Sequence, residues 1–137
     1  MKKISYNEVK GGSAMFSINE ILEKYILRVS KVREDTYIIN PDIYLDGYNE
    51  SLAFLIQNIS DECVRISDCH VVWNYLEMNG IEPLKYKEKI DKILKRTGVC
   101  LDENTLYIQQ KYTSIDQIHS MINSLLQAIF LIANIDL

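Results

Sequence analysis

Residues 51–67 read SLAFLIQNISDECVRIS, and their pattern decides the fold. From Ser51 to Ile59, Leu52, Phe54 and Ile56 fall on one face and Ala53, Leu55 and Gln57 on the other, which is the two-residue period of a strand. Asn58 to Glu62 is a polar turn, and Cys63 to Ser67 resumes the alternation with Val64 and Ile66 pointing one way. Upstream, Thr36 to Asn40 is β-branched and aromatic, Pro41-Asp42 stops or bends it, Ile43 to Leu45 resumes, and Asp46-Gly47 is a turn signal. Three antiparallel strands joined by short turns is the natural reading.

Downstream the period changes from two to helical. Asp68 can cap a short helix in which Val71, Val72, Tyr75, Leu76 and Met78 recur, with Gly80 as the stop. Glu82-Pro83 starts the next helix, whose inner stripe is Tyr86, Ile90, Ile93, Leu94 and Thr97, and Gly98 ends it. Val99 to Leu101 and Thr105 to Gln109 form a hairpin around Asp102-Glu103-Asn104. Ser114 and Gln117 make a capping box for a final helix carrying Ile115, Ile118, Ile122, Leu125, Ile129 and Ile132. Leu126, Phe130, Leu131 and Ala133 widen that seam until the C-terminal half is apolar almost all round, so the helix is either central to the core or shared with a second copy.

Toward the N-terminus, Ile4, Tyr6 and Val9 suit an edge strand, and Gly11-Gly12-Ser13 breaks it. Ser17 and Glu20 form a capping box, Phe16 and Ile21 a hydrophobic staple, and Ile18, Ile21, Leu22, Tyr25, Ile26 and Val29 recur at helical spacing, leaving Glu20, Glu23, Lys24 and Arg28 to water. The expected fold is a single α+β domain spanning 1–137. A mostly antiparallel sheet of four to six strands packs against an N-terminal helix, a middle helix and a long apolar C-terminal helix.

Composition bounds the function. The chain has 137 residues, 47% apolar and 25% charged, with five Gly, two Pro and a net charge of −4. Such a chain supports its own core and is neither disordered nor a globally basic nucleic-acid binder. No apolar run follows Met1-Lys2-Lys3, and the stretch from Leu125 to Leu137 is too short to span a bilayer, so a cytoplasmic location is expected. Cys63, Cys69 and Cys100 are an odd count without paired spacing, which fits reduced thiols.

Three further segments carry a resemblance. Ile66-Ser67-Asp68-Cys69-His70-Val71-Val72-Trp73-Asn74-Tyr75-Leu76-Glu77-Met78-Asn79-Gly80-Ile81 is a strand, acidic turn, helix and glycine unit. Lys92-Ile93-Leu94-Lys95-Arg96-Thr97-Gly98-Val99 with Asn104-Thr105-Leu106-Tyr107-Ile108 is a helix and hairpin, and His119 with Leu125-Leu126-Gln127-Ala128-Ile129 is a closing helix. With Leu45-Asp46 ahead of them, the order resembles an uncharacterised bacterial and phage family, domain of unknown function eighteen-twenty-eight, over about residues 42–135. The resemblance implies a mobile-element context and no established activity. The family turn usually carries two acidic residues and a glycine. Here it is Asp68-Cys69-His70, a departure that puts a catalytic role of the turn in doubt.

Five constellations are candidates for chemistry. Asp42, Asp46, Glu50 and Asp68 stand at strand ends or turns, where converging carboxylates would hold a divalent cation for phosphodiester cleavage. The restriction-nuclease pattern also needs an acid-x-Lys strand soon afterwards, and residues 43–80 contain none. The simpler reading makes Asp46 and Asp68 turn and cap residues. Cys63, Cys69, His70 and His119 lack the close cysteine pairs of a zinc site. Cys69 or Cys100 with a histidine would need a base within hydrogen-bond reach to act as a nucleophile. Neither a metal nor a cofactor is expected, since Gly11-Gly12 also lacks nucleotide-binding spacing.

The fourth constellation is electrostatic. The segment from Lys85 to Arg96 holds six cations (Lys85, Lys87, Lys89, Lys92, Lys95, Arg96) against Glu88 and Asp91. It is therefore +4 in a chain of −4, and the remainder carries −8. It would meet phosphates or an acidic protein face, or it is a solvated helix face supported by Glu88–Lys92 and Asp91–Lys95 pairs. The fifth is aromatic: Tyr37, Tyr44, Tyr48, Trp73, Tyr75, Tyr86, Tyr107 and Tyr112 could line an interface or edge the core.

The functional expectation is a small acidic, non-catalytic binding protein of phage or mobile-element type. Its sharpest form is an anti-defence, anti-CRISPR-like inhibitor that occupies a host nucleic-acid-binding complex. The expected partner is a protein, met through Tyr44, Asp46, Tyr48, Glu50, Asp68 and Trp73, with Lys85, Lys89, Lys92, Lys95 and Arg96 as a second surface. A homodimer through Ile115, Ile122 and Ile129 is a separate expectation. The alternative is a metal-dependent nuclease or phosphodiesterase built on the four carboxylates.

Overall fold

In the computed structural model, residues 28–41, 43–48 and 51–137 are described below. The edge strand expected near residues 4–9 and the capped helix expected from Ser17 lie outside them, as do Asp42 and Glu50.

The alternation in residues 51–67 becomes the centre of a sheet. Strands β1 (Arg28–Arg33), β2 (Thr36–Asn40), β3 (Phe54–Ser60), β4 (Cys63–Ser67), β5 (Cys100–Asp102) and β6 (Thr105–Lys111) form one six-stranded sheet in the order β1-β2-β3-β4-β6-β5. Every neighbouring pair is antiparallel. The register sets Tyr37 opposite Ile56, Ile56 opposite Ile66, and Ile66 opposite Ile108. All four side chains are buried, so one row of cross-strand contacts runs through four strands of the core face. The other face carries Ile38, Leu55, Gln57, Arg65 and Tyr107, all half-buried. Arg65 lies 3.8 Å from the Tyr107 ring centroid, and that cation–π stack shields the ring from water.

Between β4 and β5 the chain leaves the sheet for α1 (Val71–Met78), a 3₁₀ turn (Pro83–Tyr86) and α2 (Lys87–Thr97), and after β6 it closes with α3 (Ile115–Ala133). The core is continuous from the sheet into these helices and includes Phe54, Leu76, Ile90, Leu106, Ile118, Leu125, Ile129 and Ile132. Each aliphatic side chain taken fully from water contributes about 1.5–3 kcal/mol. The buried Thr97 hydroxyl is satisfied one turn back, donating to the Ile93 carbonyl at 2.8 Å.

Several expectations are corrected. Arg28 and Val29 are in β1, Val29 opposite Ile39. Val29 keeps helical phase with Ile26, but the polar turn at Glu34-Asp35 lets 28–33 fold back on 36–40, and a β-branched residue suits that pairing. Ile43 to Leu45 forms no strand. Tyr44 makes one isolated bridge to Ser51, and the chain turns at Asp46-Gly47, with the Tyr48 N–H donating to the Leu45 carbonyl at 3.0 Å. Met78 lies on the outer side of α1 at 64% exposure.

The expected punctuation is otherwise present. Glu103 and Asn104, both at positive φ (48° and 67°), make the tight β5–β6 turn, a geometry that suits the twist of a hairpin. Gln117 accepts from the Ser114 N–H at 3.2 Å in the capping box of α3. Gly98 ends α2 at φ 76°, its N–H donating to the Leu94 carbonyl at 2.9 Å. A Cβ there would meet nothing within 4 Å, so Gly98→Ala should cost only the left-handed backbone penalty, about 1–2 kcal/mol. Chemical denaturation should show a lower midpoint with an unchanged slope.

Candidate functional site

The acidic turn at Asp68 is the first place to look, and it is closed. Asp68 has no exposed surface. Its Oδ1 accepts from the His70 N–H at 3.1 Å and the Leu106 N–H at 3.0 Å, and its Oδ2 accepts from the Val72 N–H at 3.2 Å. Its own N–H donates to the Leu106 carbonyl at 3.0 Å. The side chain therefore caps α1 and clamps the end of β4 to β6. Burial pushes its carboxyl above the ordinary 3.8, with the three N–H donors pulling the other way. The expectation that Asp68 meets a partner is corrected, because no face of it reaches solvent, and both of its oxygens are already engaged by backbone N–H groups.

The other carboxylates do not rescue a metal site. Asp46 is exposed in its turn, and its backbone carbonyl accepts from the Tyr75 hydroxyl at 3.1 Å. Among the described residues, no three His, Cys, Asp or Glu side chains are grouped to hold a metal ion. Cys63 and Cys69 are half-buried and Cys100 is exposed. Burial, with Asp68 adding to it, pushes the Cys69 thiol upward, which is opposite to what a nucleophilic cysteine needs. The exposed His70 sets its Nε2 3.0 Å from the Thr105 hydroxyl, which ties the start of α1 to the β5–β6 hairpin.

The aromatic candidates divide into two places. Tyr48 packs edge-on to Tyr75, with ring centroids 5.9 Å apart, and Tyr44 is 51% exposed beside it in sequence. Trp73 precedes Tyr75 by two residues on α1 and so points about 200° away around the helix. It lines a cleft of about 430 Å³ with Pro83 and Leu84 of the 3₁₀ turn, Lys87, Ile90 and Asp91 of α2, and Leu101 and Asn104 of the hairpin. Leu84 is 84% exposed and Leu101 39%. The Lys87–Asp91 ion pair, at 2.9 Å, sits on its rim. A mostly apolar cleft of a few hundred Å³ with a few polar groups at its edge has the character of a ligand or anchor-residue pocket.

Sequence reasoning singled out Trp73, which lines this cleft, but not the residues around it. Leu84 carried a signal, since it stands outside the inner stripe of Tyr86, Ile90 and Ile93 and yet is apolar.

The basic segment is also rearranged. Asp91 pairs with Lys87 in place of the expected Lys95, and no Glu88–Lys92 pair joins it among the described residues. Lys89, Lys92 and Arg96 share one side of α2 and line a second groove of about 360 Å³ with Ile93, Leu131 and Ile135. Lys95 lies on the shoulder of the helix, turned about 60–120° away from these three.

The homodimer seam is corrected in part. Ile122 and Ile129 are buried in this chain's own core. The side chain of Ile115 lies outside the described residues, and among those described the large apolar groups that α3 leaves exposed are Phe130 and Leu131, at 38% and 37%.

The fold and its two grooves define the class: an α+β chain whose six-stranded antiparallel sheet carries helices with an apolar cleft on one side of α2 and a cationic groove on the other. No family model matches the chain, and no curated protein matches it. Among solved structures, a crystal structure of an uncharacterised protein from Methanothermobacter thermautotrophicus is similar at 17% identity. The match covers 84% of this chain and 93% of that one, with a TM-score of 0.43. Among the described residues no helix is long and apolar enough to cross a membrane.

Proposed function

We propose that the chain is a non-catalytic binding protein that occupies a surface of a protein partner, with the Trp73 cleft as its recognition site. The observation that carries this reading is the apolar wall of Trp73, Pro83, Leu84, Ile90 and Leu101, left open with Leu84 at 84% exposure. A side chain exposed to that degree contributes little to its own fold. A tryptophan-lined pocket is the kind of place where an inserted anchor residue concentrates binding energy.

The resemblance to family eighteen-twenty-eight supports placing that partner in a phage or mobile-element setting. In the anti-defence form of the proposal the partner is a host nucleic-acid-binding complex. The −8 carried outside residues 85–96 supports this form, because an acidic surface complements the cationic protein groove in which such a complex holds nucleic acid. Asp46 and Tyr44 are exposed members of that surface among the described residues. The phosphodiesterase alternative is weakened by the burial of Asp68. A dimer built on α3 would use Phe130 and Leu131 in place of the buried seam.

Affinity capture from the native host tests the reading when wild type and Leu84→Glu are run side by side. Leu84→Glu should leave thermal unfolding within about 0.5 kcal/mol of wild type. It should lower retention of the captured partner at least about tenfold, as a charge placed in an apolar pocket does. Retention equal to wild type would overturn the cleft as the site.

A further inference from the structure

The groove on the opposite side of α2 is chemically distinct from the Trp73 cleft. Its wall is Lys89, Lys92 and Arg96, spaced three and then four residues apart, and its floor is Ile93, Leu131 and Ile135. No Asp or Glu lines it, and the α2 ion pair, Lys87–Asp91, lies on the other side of the helix. Lys89 is partly committed, its ammonium donating to the Ile135 carbonyl at 3.3 Å. Among the described residues no ion pair takes up Lys92 or Arg96.

We infer that this groove binds an acidic amphipathic segment of a protein, with its carboxylates on Lys92 and Arg96 and its apolar side chains on Ile93, Leu131 and Ile135. Two arguments select this occupant. Lys92 and Arg96 are separated by about 6 Å of helix rise, which matches two carboxylates four residues apart on a partner helix. The floor is apolar, which suits a segment carrying Leu or Ile beside its acids and is wasted on a bare phosphate chain. A long polyanion also meets the net negative charge of the rest of the chain, whereas a short acidic segment covers the cationic groove alone. The site is independent of the Trp73 cleft and of the function proposed for it.

Selection from a random-peptide display library on the full chain tests the inference, followed by fluorescence anisotropy of the enriched peptides. The enriched peptides should carry Asp or Glu at helical spacing with Leu, Ile or Phe. Their affinity should fall at least about tenfold in Lys92→Glu/Arg96→Glu and fall again between about 0.05 and 0.5 M salt. Leu84→Glu should leave it unchanged. Lys92→Gln/Arg96→Gln should weaken binding less, and serves if the charge-reversed protein fails to fold. The inference is overturned if no peptide is enriched, if the enriched peptides lack acids, or if their binding survives both double variants. It is equally overturned if a single-stranded oligonucleotide or a vesicle rich in anionic lipid binds the groove more tightly than any peptide.

Discussion

Asp68→Ala should destabilise the fold by about 4 kcal/mol, because it leaves two buried N–H groups without an acceptor at about 1–3 kcal/mol each, and a third, partly buried, at less. The donors belong to His70, Val72 and Leu106, so the substitution uncaps α1 and loosens the β4–β6 junction together. Asp68→Asn tests the geometry, since both carboxylate oxygens accept. An amide turns one of them into a donor facing an N–H, and most of the alanine loss should remain.

The pH dependence has a definite sign. Burial raises the folded Asp68 carboxyl above 3.8, so just above that value the folded state holds more proton at this site than the unfolded state does. The site's contribution is therefore fully present below the ordinary carboxylate value and declines as pH rises through the raised one. The stability gap between wild type and Asp68→Ala should widen as pH is lowered from neutrality toward 3.8. A narrowing gap would mean that the three donors outweigh burial.

The second large effect is expected at Leu125, which has no exposed surface on α3. Leu125→Ala should cost about 3–5 kcal/mol, the lost transfer energy plus the cavity that the surrounding helices and sheet do not refill. The same experiment addresses the helix seam. Because Ile122, Leu125 and Ile129 are core of one chain, the unfolding midpoint of wild type should be independent of protein concentration. A midpoint that rises with concentration would show that folding is linked to association.

What was legible in the sequence was local. The faces of β3, with the Leu52 that precedes it, and of β4 follow from strict alternation of Leu52, Phe54 and Ile56 and of Val64 and Ile66, and all five are buried. The positive-φ turn at Glu103-Asn104, the glycine stop at Gly98 and the capping box at Ser114 and Gln117 each sit within a few residues of their cause. β1 was hidden because Val29 satisfies two periods at once, and its pairing with Ile39 decides between them.

The site was less legible for the same reason on a larger scale. Asp68 reads as a cap from its neighbours, but its bond to the Leu106 N–H spans 38 residues. Only that bond explains why an acidic group at a turn is buried and unavailable. The Trp73 cleft joins residues 73, 83–91 and 101–104, which no single sequence window contains. The second groove likewise joins residues 89–96 of α2 to residues 131–137 at the end of the chain, and the pairing of Lys87 with Asp91 is a choice among several equally spaced partners.

Trp73 is the chain's single tryptophan, so its cleft can be watched directly. Fluorotryptophan incorporated at this position gives one ¹⁹F resonance. Adding the partner captured from the host should shift or broaden that resonance at stoichiometric concentrations, and Leu84→Glu should abolish the change along with binding. A partner that binds Leu84→Glu as tightly as wild type and leaves the Trp73 resonance unmoved would contradict the account.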